Sequence, residues 1–219
     1  MEPLRFACGQ AAVSITAALA QRYWLGSVEG LEKLPPRPSV IIANHESYLD
    51  FLLLGYAMDR MANRPFAFWA KRRMIRNQPW ASFNSIFPCI EVGGSTNPRA
   101  AFRQTRRLLR EGWDVCIFPE GQRSRTGLLG SFNEGYLLVA KELNAPIVPA
   151  FIDNAFETWP PNKALPKMSP CSLRFHKAIE TNSLQTRDEL TRLNQSLRHR
   201  YLNWKQEKSP SNYEVPKAS

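Results

Sequence analysis

The stretch that decides the fold class is SVIIANHESYLD, residues 39–50. Its apolar run, Val40–Ala43, is short and continuous, which is typical of a strand buried on both faces of a sheet. The run stops at polar residues, and Ser47 with Asp50 three positions later matches the start of a helix. A buried strand followed at once by a helix predicts an α/β unit.

The same alternation continues along the chain. Further strand-like runs lie at 66–70, 89–92, 114–118, 146–152 and 172–175. Helical patterns lie between them, and the clearest begins after Asn97, which is followed by Pro98 at the first helical position. A last helix opens with a capping box formed by Thr186 and Glu189. These patterns predict a single α/β domain with a largely parallel mixed sheet flanked by helices.

Four segments are expected along the chain. They are an N-terminal helical segment (1–29), an α/β core (30–180), a C-terminal helix (181–205) and a flexible tail (206–219). The apolar part of the first segment, Ala11–Ala20, is shorter than the about 20 residues that a membrane-spanning helix needs. We therefore predict an amphipathic helix that lies on the core or associates with a membrane surface.

Composition limits the partners and the chemistry. The 219 residues include 29 Lys and Arg against 19 Asp and Glu, a formal net charge of +10 that favours anionic partners. The four cysteines form no CxxC pair and only three histidines are present, so no metal site is expected. A P-loop and a nucleophile-elbow motif are also missing, which disfavours two large enzyme classes.

His45 and Asp50 form the first candidate site, at the junction of a predicted strand and helix. In parallel sheets, sites gather at this end of the strands. A carboxylate in the first helical turn can hold one imidazole nitrogen, which leaves the other as a general base. In the structural alternative, Asp50 completes a cap with Ser47 and His45 is an incidental loop residue. Spacing alone favours that alternative.

The second candidate is the loop FPEGQRSR, residues 118–125. Gly121 permits a tight turn, and Arg123 and Arg125 offer forked donors that suit phosphate oxygens. Glu120 could orient an arginine or a ligand hydroxyl. A charged surface loop is an equally good interpretation of this segment alone.

A basic and aromatic cluster is the third candidate. Its members are Lys71, Arg72, Arg73, Arg76, Trp69 and Trp80. The cluster could stack on nucleic acid, bind lipid headgroups, or form a solvated face. Because no nucleic-acid-binding signature is visible, nucleic acid is not the expected partner.

Together these segments resemble the glycerophospholipid acyltransferase family, the PlsC-type enzymes, whose best-known members acylate lysophosphatidic acid. The matching blocks are Gly30–Pro35, Asn44–Asp50 (NHxSxxD), Phe68–Lys71, Phe118–Ser124 (FPEGxRS, with Gln122 where Thr is common) and Ala145–Ala150. The resemblance covers roughly Gly30 to Ile179. The combination of NHxSxxD with FPEGxRS is highly specific, and it reverses the structural alternatives weighed for each part.

The resemblance implies acyl transfer from acyl-CoA or acyl carrier protein to the hydroxyl of a lysophospholipid, 1-acylglycerol-3-phosphate above all. His45 would act as general base, and Asp50 would hold its tautomer. The implied acceptor phosphate site comprises Lys71, Glu120, Gly121 and Arg123. No cofactor is implied, and the expected location is peripheral or monotopic, on the cytoplasmic face of an anionic membrane.

One block departs from the family. Residues 90–95 read IEVGGS, without the arginine that usually contacts the glycerophosphate there. This leaves the identity of the acceptor open, and another lysophospholipid, or a different lipid alcohol or amine, is an alternative. A phospholipid–lysophospholipid transacylase and a non-catalytic lipid- or phosphate-binding protein are the competing functions.

Overall fold

Seven strands form one sheet in the computed structural model, which describes residues 21–71, 88–93 and 97–207. The strands are β1 (Leu25–Glu29), β2 (Val40–Ala43), β3 (Phe66–Lys71), β4 (Cys89–Val92), β5 (Asp114–Ile117), β6 (Ile147–Asp153) and β7 (Cys171–Phe175). The helices are α1 (Leu49–Tyr56), α2 (Pro98–Arg110), α3 (Gly135–Glu142), α4 (Ala155–Thr158) and α5 (Arg187–Gln206). A 3₁₀ turn (Leu31–Lys33) follows β1, and α1 continues into a π-helical turn, Ala57–Met61.

The order across the sheet is β1-β7-β6-β2-β5-β3-β4. From β6 to β4 every pairing is parallel, whereas β7 pairs antiparallel with β6 and parallel with β1. The strands β2, β5, β3 and β6 therefore end at one edge of the sheet, and we call this edge the site edge. The predicted α/β class with a largely parallel mixed sheet is confirmed.

Both faces of the sheet are covered, as the continuous apolar runs predict. Ile41 of β2 packs on the face that α1 covers, together with Phe68 and Val148. Its neighbours Val40 and Ile42 pack on the opposite face, where α2, α3 and α5 lie. All four residues of β2 are fully buried, so this central strand gives the site edge a rigid base.

The cap signals of α2 and α5 are confirmed. The Asn97 side chain accepts a hydrogen bond from the Arg99 N–H at 2.9 Å, and Thr186 with Glu189 forms the predicted capping box of α5. Helix α1 differs slightly, because it begins at Leu49 and the Ser47 hydroxyl accepts the Leu49 N–H at 3.1 Å. The serine therefore caps the helix from one position further out than expected.

The predicted helical segment over 1–29 needs a correction at its end. Leu25–Glu29 is a strand, β1, which pairs with β7 and is the outermost strand on that side of the sheet. The core therefore begins near Leu25, because β1 pairs in parallel with β7, a strand of the predicted α/β core. Residues 1–20 and 208–219, including most of the predicted N-terminal helix and of the tail, lie outside the described residues. Within the described ranges, no helix is long and apolar enough to cross a membrane.

Candidate active site

His45 and Asp50 meet at the site edge. His45 follows β2 by two positions, and Asp50 lies in the first turn of α1, which brings the His45 Nδ1 to 2.7 Å from the Asp50 Oδ2. His45 is 4% exposed and Asp50 is fully buried. The ring of Phe118 stacks on the imidazole with 4.0 Å between centroids, which fixes the ring plane. Because Nδ1 is engaged by Asp50, Nε2 is the nitrogen left for chemistry.

Asp50 combines the two roles that the sequence analysis treated as alternatives. Its Oδ2 also accepts the backbone N–H groups of Glu46 and Ser47, at 2.7 and 2.9 Å. The carboxylate thus closes the turn before α1 and at the same time orients the imidazole. Structural capping and the orientation of a general base are compatible here because one oxygen atom serves both.

The loop after β5 clamps the backbone of His45 from both sides. The Glu120 Oε1 accepts the His45 N–H at 2.8 Å, and the Ser124 N–H donates to the His45 carbonyl at 2.8 Å. The second Glu120 oxygen accepts the Gly130 N–H, also at 2.8 Å. Because both carboxylate oxygens already accept backbone donors, this geometry favours a positioning role for Glu120 over the predicted contact with the acceptor phosphate.

Gly121 makes the turn that aims this loop. Its φ is +67°, a left-handed conformation that costs other residues energy, and its N–H donates to the Phe118 carbonyl at 3.0 Å. A Cβ atom there would approach the Asn133 side-chain amide to 3.3 Å. The glycine therefore permits the tight turn that the sequence predicts, and also the close packing beneath it.

A cavity of about 690 Å³ opens beside His45. Its lining combines the aromatic rings of Tyr48, Phe51, Trp69 and Phe118 with the cationic side chains of Lys71, Arg123 and Arg125. An apolar lining with a few cations suits a ligand that has a lipid chain and a phosphate. The structure thus brings together His45, Gly121 with Arg123, and Lys71, which the sequence placed in three separate candidate sites.

Arg123 is held in place at the cavity. Its guanidinium lies over the Tyr48 ring, 3.6 Å from the centroid, and its Nη1 is buried without a hydrogen-bond partner in the described part of the chain. A cation fixed by stacking, with a free donor, is ready to take an anionic ligand oxygen. Tyr48 occupies a variable position of the NHxSxxD block, so the motif gave no signal for this contact.

Only part of the predicted basic cluster lies within the described residues. Arg72, Arg73, Arg76 and Trp80 lie outside the described residues. Trp69 is described, and its indole donates to the Thr105 hydroxyl at 3.0 Å. Of the divergent block at 90–95, residues 90–93 are described.

Burial sets the protonation of the site. It lowers the pKa of His45 below its usual value, and the positive charge of Arg123 lowers it further, while Asp50 opposes both. Burial also raises the pKa of Glu120. An imidazole with a lowered pKa is neutral at physiological pH and can therefore accept a proton.

Sequence reasoning missed the contribution of α5. Lys205 forms an ion pair with the Glu46 carboxylate, next to His45, across 159 residues of sequence. The Tyr201 hydroxyl donates toward the carbonyls of Ile42 and Ala150, at 2.7 and 3.0 Å. The apolar stripe of α5 predicted that this helix packs on the core, but no pattern indicated what its polar groups reach.

Asn44 ties the end of β2 to β6. Its side-chain amide donates to the Ile152 carbonyl and accepts the Ile152 N–H, both at 2.8 Å. These two hydrogen bonds fix the end of β2, and therefore the backbone position from which the His45 side chain projects.

A model of the Acyltransferase family matches residues 27–153, more than half of the chain. This chain belongs to the acyltransferase family. The matched residues contain the His45–Asp50 pair, Lys71 and the loop with Arg123. The family resemblance drawn from the motifs is confirmed.

Individual relatives agree. The chain is 30% identical over 161 residues to a 1-acyl-sn-glycerol-3-phosphate acyltransferase of Chlamydomonas reinhardtii, covering 71% of this chain and 47% of that protein. It is 30% identical over 138 residues to the enzyme of the same name from Pseudomonas aeruginosa, covering 61% and 51%. The chain thus spans about half the length of these curated relatives.

A solved structure shares the fold. The crystal structure of the 1-acyl-sn-glycerophosphate acyltransferase PlsC from Thermotoga maritima superposes with a TM-score of 0.67. The match covers 95% of this chain and 80% of that one, at 22% sequence identity. This likeness supports the α/β architecture described above.

Proposed function

We propose that this protein transfers a fatty acyl group from a thioester, acyl-CoA or acyl carrier protein, to the hydroxyl of a lysophospholipid. The favoured acceptor is 1-acylglycerol-3-phosphate, the substrate named for the relatives in Chlamydomonas reinhardtii and Pseudomonas aeruginosa. The observation that carries the proposal is the buried His45–Asp50 pair at 2.7 Å, beside a cavity that also holds Arg123 and Lys71.

The proton follows a simple path in this proposal. The His45 Nε2 takes the proton of the acceptor hydroxyl as its oxygen attacks the thioester carbonyl. Asp50 stabilises the imidazolium that forms, through the hydrogen bond at Nδ1. When the tetrahedral intermediate collapses, the C–S bond breaks and the thiolate takes the proton back from His45. The products are an ester and a free thiol, and no covalent enzyme intermediate is required.

The cations of the cavity are proposed to bind the acceptor phosphate. Arg123 supplies a fixed, forked donor and Lys71 a flexible charge at the end of β3. Gly121 permits close approach of the loop backbone, and Glu120 holds that loop on His45. The proposal includes no metal and no cofactor, because the thioester is already an activated acyl donor.

The site also fits an anionic membrane partner. A lysophospholipid and its product reside in the bilayer, whereas acyl-CoA and acyl carrier protein are soluble. The net charge of +10 favours an acidic lipid surface. We therefore place the protein on the cytoplasmic face of a membrane, as a peripheral or monotopic protein.

A different lysophospholipid acceptor is the second candidate. The divergent block, residues 90–95, contains no arginine. Arg99 is exposed in α2 and does not line the cavity. The acceptor phosphate would therefore depend on the loop after β5. We therefore expect the protein to select less strictly for acceptors that carry a phosphate monoester.

The test is transfer of a labelled acyl group from acyl-CoA, and in parallel from acyl carrier protein, to a panel of lysophospholipids. His45→Ala should lower the rate roughly 10²–10⁴-fold, the range for a lost general base. Wild-type turnover in that variant would contradict the mechanism. Transfer only from a phospholipid donor would indicate a transacylase, and no transfer from any donor would indicate a binding protein.

A further inference from the structure

The exposed apolar side chains of this protein are unevenly distributed. Among the described residues six large hydrophobic side chains are exposed, and four of them belong to segments at the site edge. These four are Tyr23 (41% exposed), Leu128 (71%), Leu165 (81%) and Met168 (74%). Met61 (46%) lies at the opposite edge of the sheet, just before β3 begins, and Leu138 (51%) lies on α3.

Topology places the four together. The loop with Leu128 leaves the sheet where β5 ends, and the connection with Leu165 and Met168 joins the end of β6 to the start of β7. Asp153 pairs with Ser172, and Leu25 pairs with Cys171, so β1 also begins at this edge, directly after Tyr23. All three segments therefore lie at the edge where His45 lies.

Direct contacts join these segments to each other and to the cavity. A Cβ atom on Gly127 would lie 2.9 Å from the Phe156 ring, so the Leu128 loop packs on α4. The Trp24 indole donates to the Lys167 carbonyl at 2.9 Å. The Trp159 carbonyl accepts the Ser47 hydroxyl at 2.7 Å, and Pro161 lines the cavity. The segments that carry the exposed side chains thus contact one another, and two of them contribute Arg125 and Pro161 to the cavity lining.

The connection that carries Leu165 is held by its own backbone. The Lys163 N–H donates to the Pro160 carbonyl at 3.1 Å, and the Lys167 N–H donates to the Thr158 carbonyl at 2.8 Å. The Trp159 indole donates to the Lys163 carbonyl at 3.0 Å. Leu165 therefore projects from a fixed turn.

Charge decides the partner. The three segments, 21–24, 121–131 and 159–170, contain no acidic residue. Glu120, which precedes the second segment, is buried, so Glu157 in α4 is the nearest exposed acid in sequence. Their exposed cations are Arg22, Arg125, Lys163 and Lys167. Exposed apolar side chains mixed with cations alone suit the boundary between acyl chains and anionic headgroups.

We propose that these three segments, which we call the rim, dock on an anionic bilayer so that the cavity opens onto the lipid. Leu128, Leu165 and Met168 enter the acyl-chain boundary, and Lys163 and Lys167 contact headgroup phosphates. The inference rests on the proposed function, since a lipid acceptor gives the enzyme a reason to dock. It adds the contact surface: the rim, at the edge of the sheet where His45 lies, is the part of this chain that faces the lipid.

The first test measures partition of the full chain onto vesicles of phosphatidylcholine with phosphatidylglycerol, without substrate. Leu165→Ser/Met168→Ser should bind roughly 100-fold more weakly, because each of the two apolar side chains that leaves water contributes about tenfold. The matched control is Met61→Ser, which should bind like the wild type. Equal binding of the rim variant and the control would overturn the proposal.

A second measurement reports orientation independently of affinity. A fluorophore is attached at Leu165→Cys or, as control, at Met61→Cys, in a chain that carries Cys8→Ser and Cys89→Ser. On vesicles the label at position 165 should shift to the blue and be quenched by lipid-borne quenchers, and the label at 61 should not. An unshifted label at 165 on bound protein would overturn the proposal, whatever segment supplies the affinity.

Two further arms separate charge and self-association. Lys163→Gln/Lys167→Gln should weaken binding to the anionic vesicles at low salt and leave binding to pure phosphatidylcholine unchanged. Sedimentation velocity tests a second copy as the occupant, and a dimer that the rim variant dissociates would overturn docking on lipid.

Acyl transfer to a short-chain, monomeric lysophosphatidic acid should be unchanged in the rim variant. If the wild type fails that reaction, the proposed function fails while the docking result still stands.

Discussion

The Glu120 side chain accepts a hydrogen bond from the backbone N–H of His45 at 2.8 Å, although 75 residues separate the two. Through this bond the loop after β5, which carries Arg123, is fixed to the residue that the proposal makes the general base. The distance between the proposed phosphate contact and the proposed base is therefore set by a buried carboxylate, which is 9% exposed.

Glu120→Gln should consequently lower kcat on the order of tenfold and leave the acceptor KM nearly unchanged. The amide replaces one acceptor oxygen by an NH₂ group, so either the His45 N–H or the Gly130 N–H loses its partner, at a cost of about 1–3 kcal/mol. Steady-state kinetics checks the split. Glu142→Gln, at an exposed position of α3, is the matched control. A raised KM with an unchanged kcat would return Glu120 to the phosphate-binding set predicted from sequence.

Arg123→Gln should raise the KM for a phosphate-bearing acceptor by roughly tenfold or more, because a charge-assisted hydrogen bond is lost. The kcat should change less, since Asp50 and the His45 clamp remain in place. The control is Arg99→Gln, which removes an equal charge from an exposed position away from the cavity. An unchanged KM in the first variant would exclude Arg123 from the phosphate site.

The same variant tests the electrostatics of the base. Burial lowers the pKa of His45 and the Arg123 charge lowers it further, so kcat/KM should stay level through neutral pH. It should fall only as the pH drops through a value below about 6.5, the usual pKa of histidine, where the base becomes protonated. Removing the Arg123 charge stabilises the imidazolium and should move this acid limb to higher pH. A limb that moves to lower pH in Arg123→Gln would contradict the assignment of His45 as the base.

Much of this architecture follows from local sequence patterns. Continuous apolar runs predict strands buried on both faces, and β2, β5 and β6 occur where these runs lie. Capping pairs predict helix starts, and Thr186 with Glu189 forms the expected box. These signals are readable because the residues that satisfy them lie within a few positions of each other.

Contacts between residues far apart in the chain could not be predicted from the sequence. The segment Leu25–Glu29 contains a glycine and a terminal glutamate, and it becomes a strand only because β7 supplies a parallel partner. From sequence, Glu120 is a carboxylate in a loop, and its contacts with the His45 and Gly130 N–H groups appear only in the folded protein. From sequence, Lys205 is one more cation near the end of an amphipathic helix. In each case the deciding partner is far away in the chain, and the sequence holds no local trace of it.

The ion pair of Lys205 with Glu46 gives a prediction for stability. Glu46 is 2% exposed, and burial raises its pKa to about 7 although Lys205 opposes the shift. A carboxyl whose pKa is raised on folding contributes stability that is complete below its unfolded pKa, about 4.3, and is lost as the pH rises through the folded value. Lys205 limits that loss, because it compensates the buried negative charge.

Lys205→Met should therefore lower the free energy of unfolding by about 1–3 kcal/mol at about pH 8.5, where Glu46 ionises without its cation. The loss should be smaller at about pH 5, because Glu46 is then protonated in the folded protein. Urea unfolding at both pH values measures the difference, and Lys177→Met, at an exposed position, is the control. Adding Glu46→Gln to Lys205→Met should recover part of the loss at high pH, since the uncompensated charge is removed. An equal loss at both pH values would show that Lys205 stabilises the protein through packing of its alkyl chain and that its charge has no part.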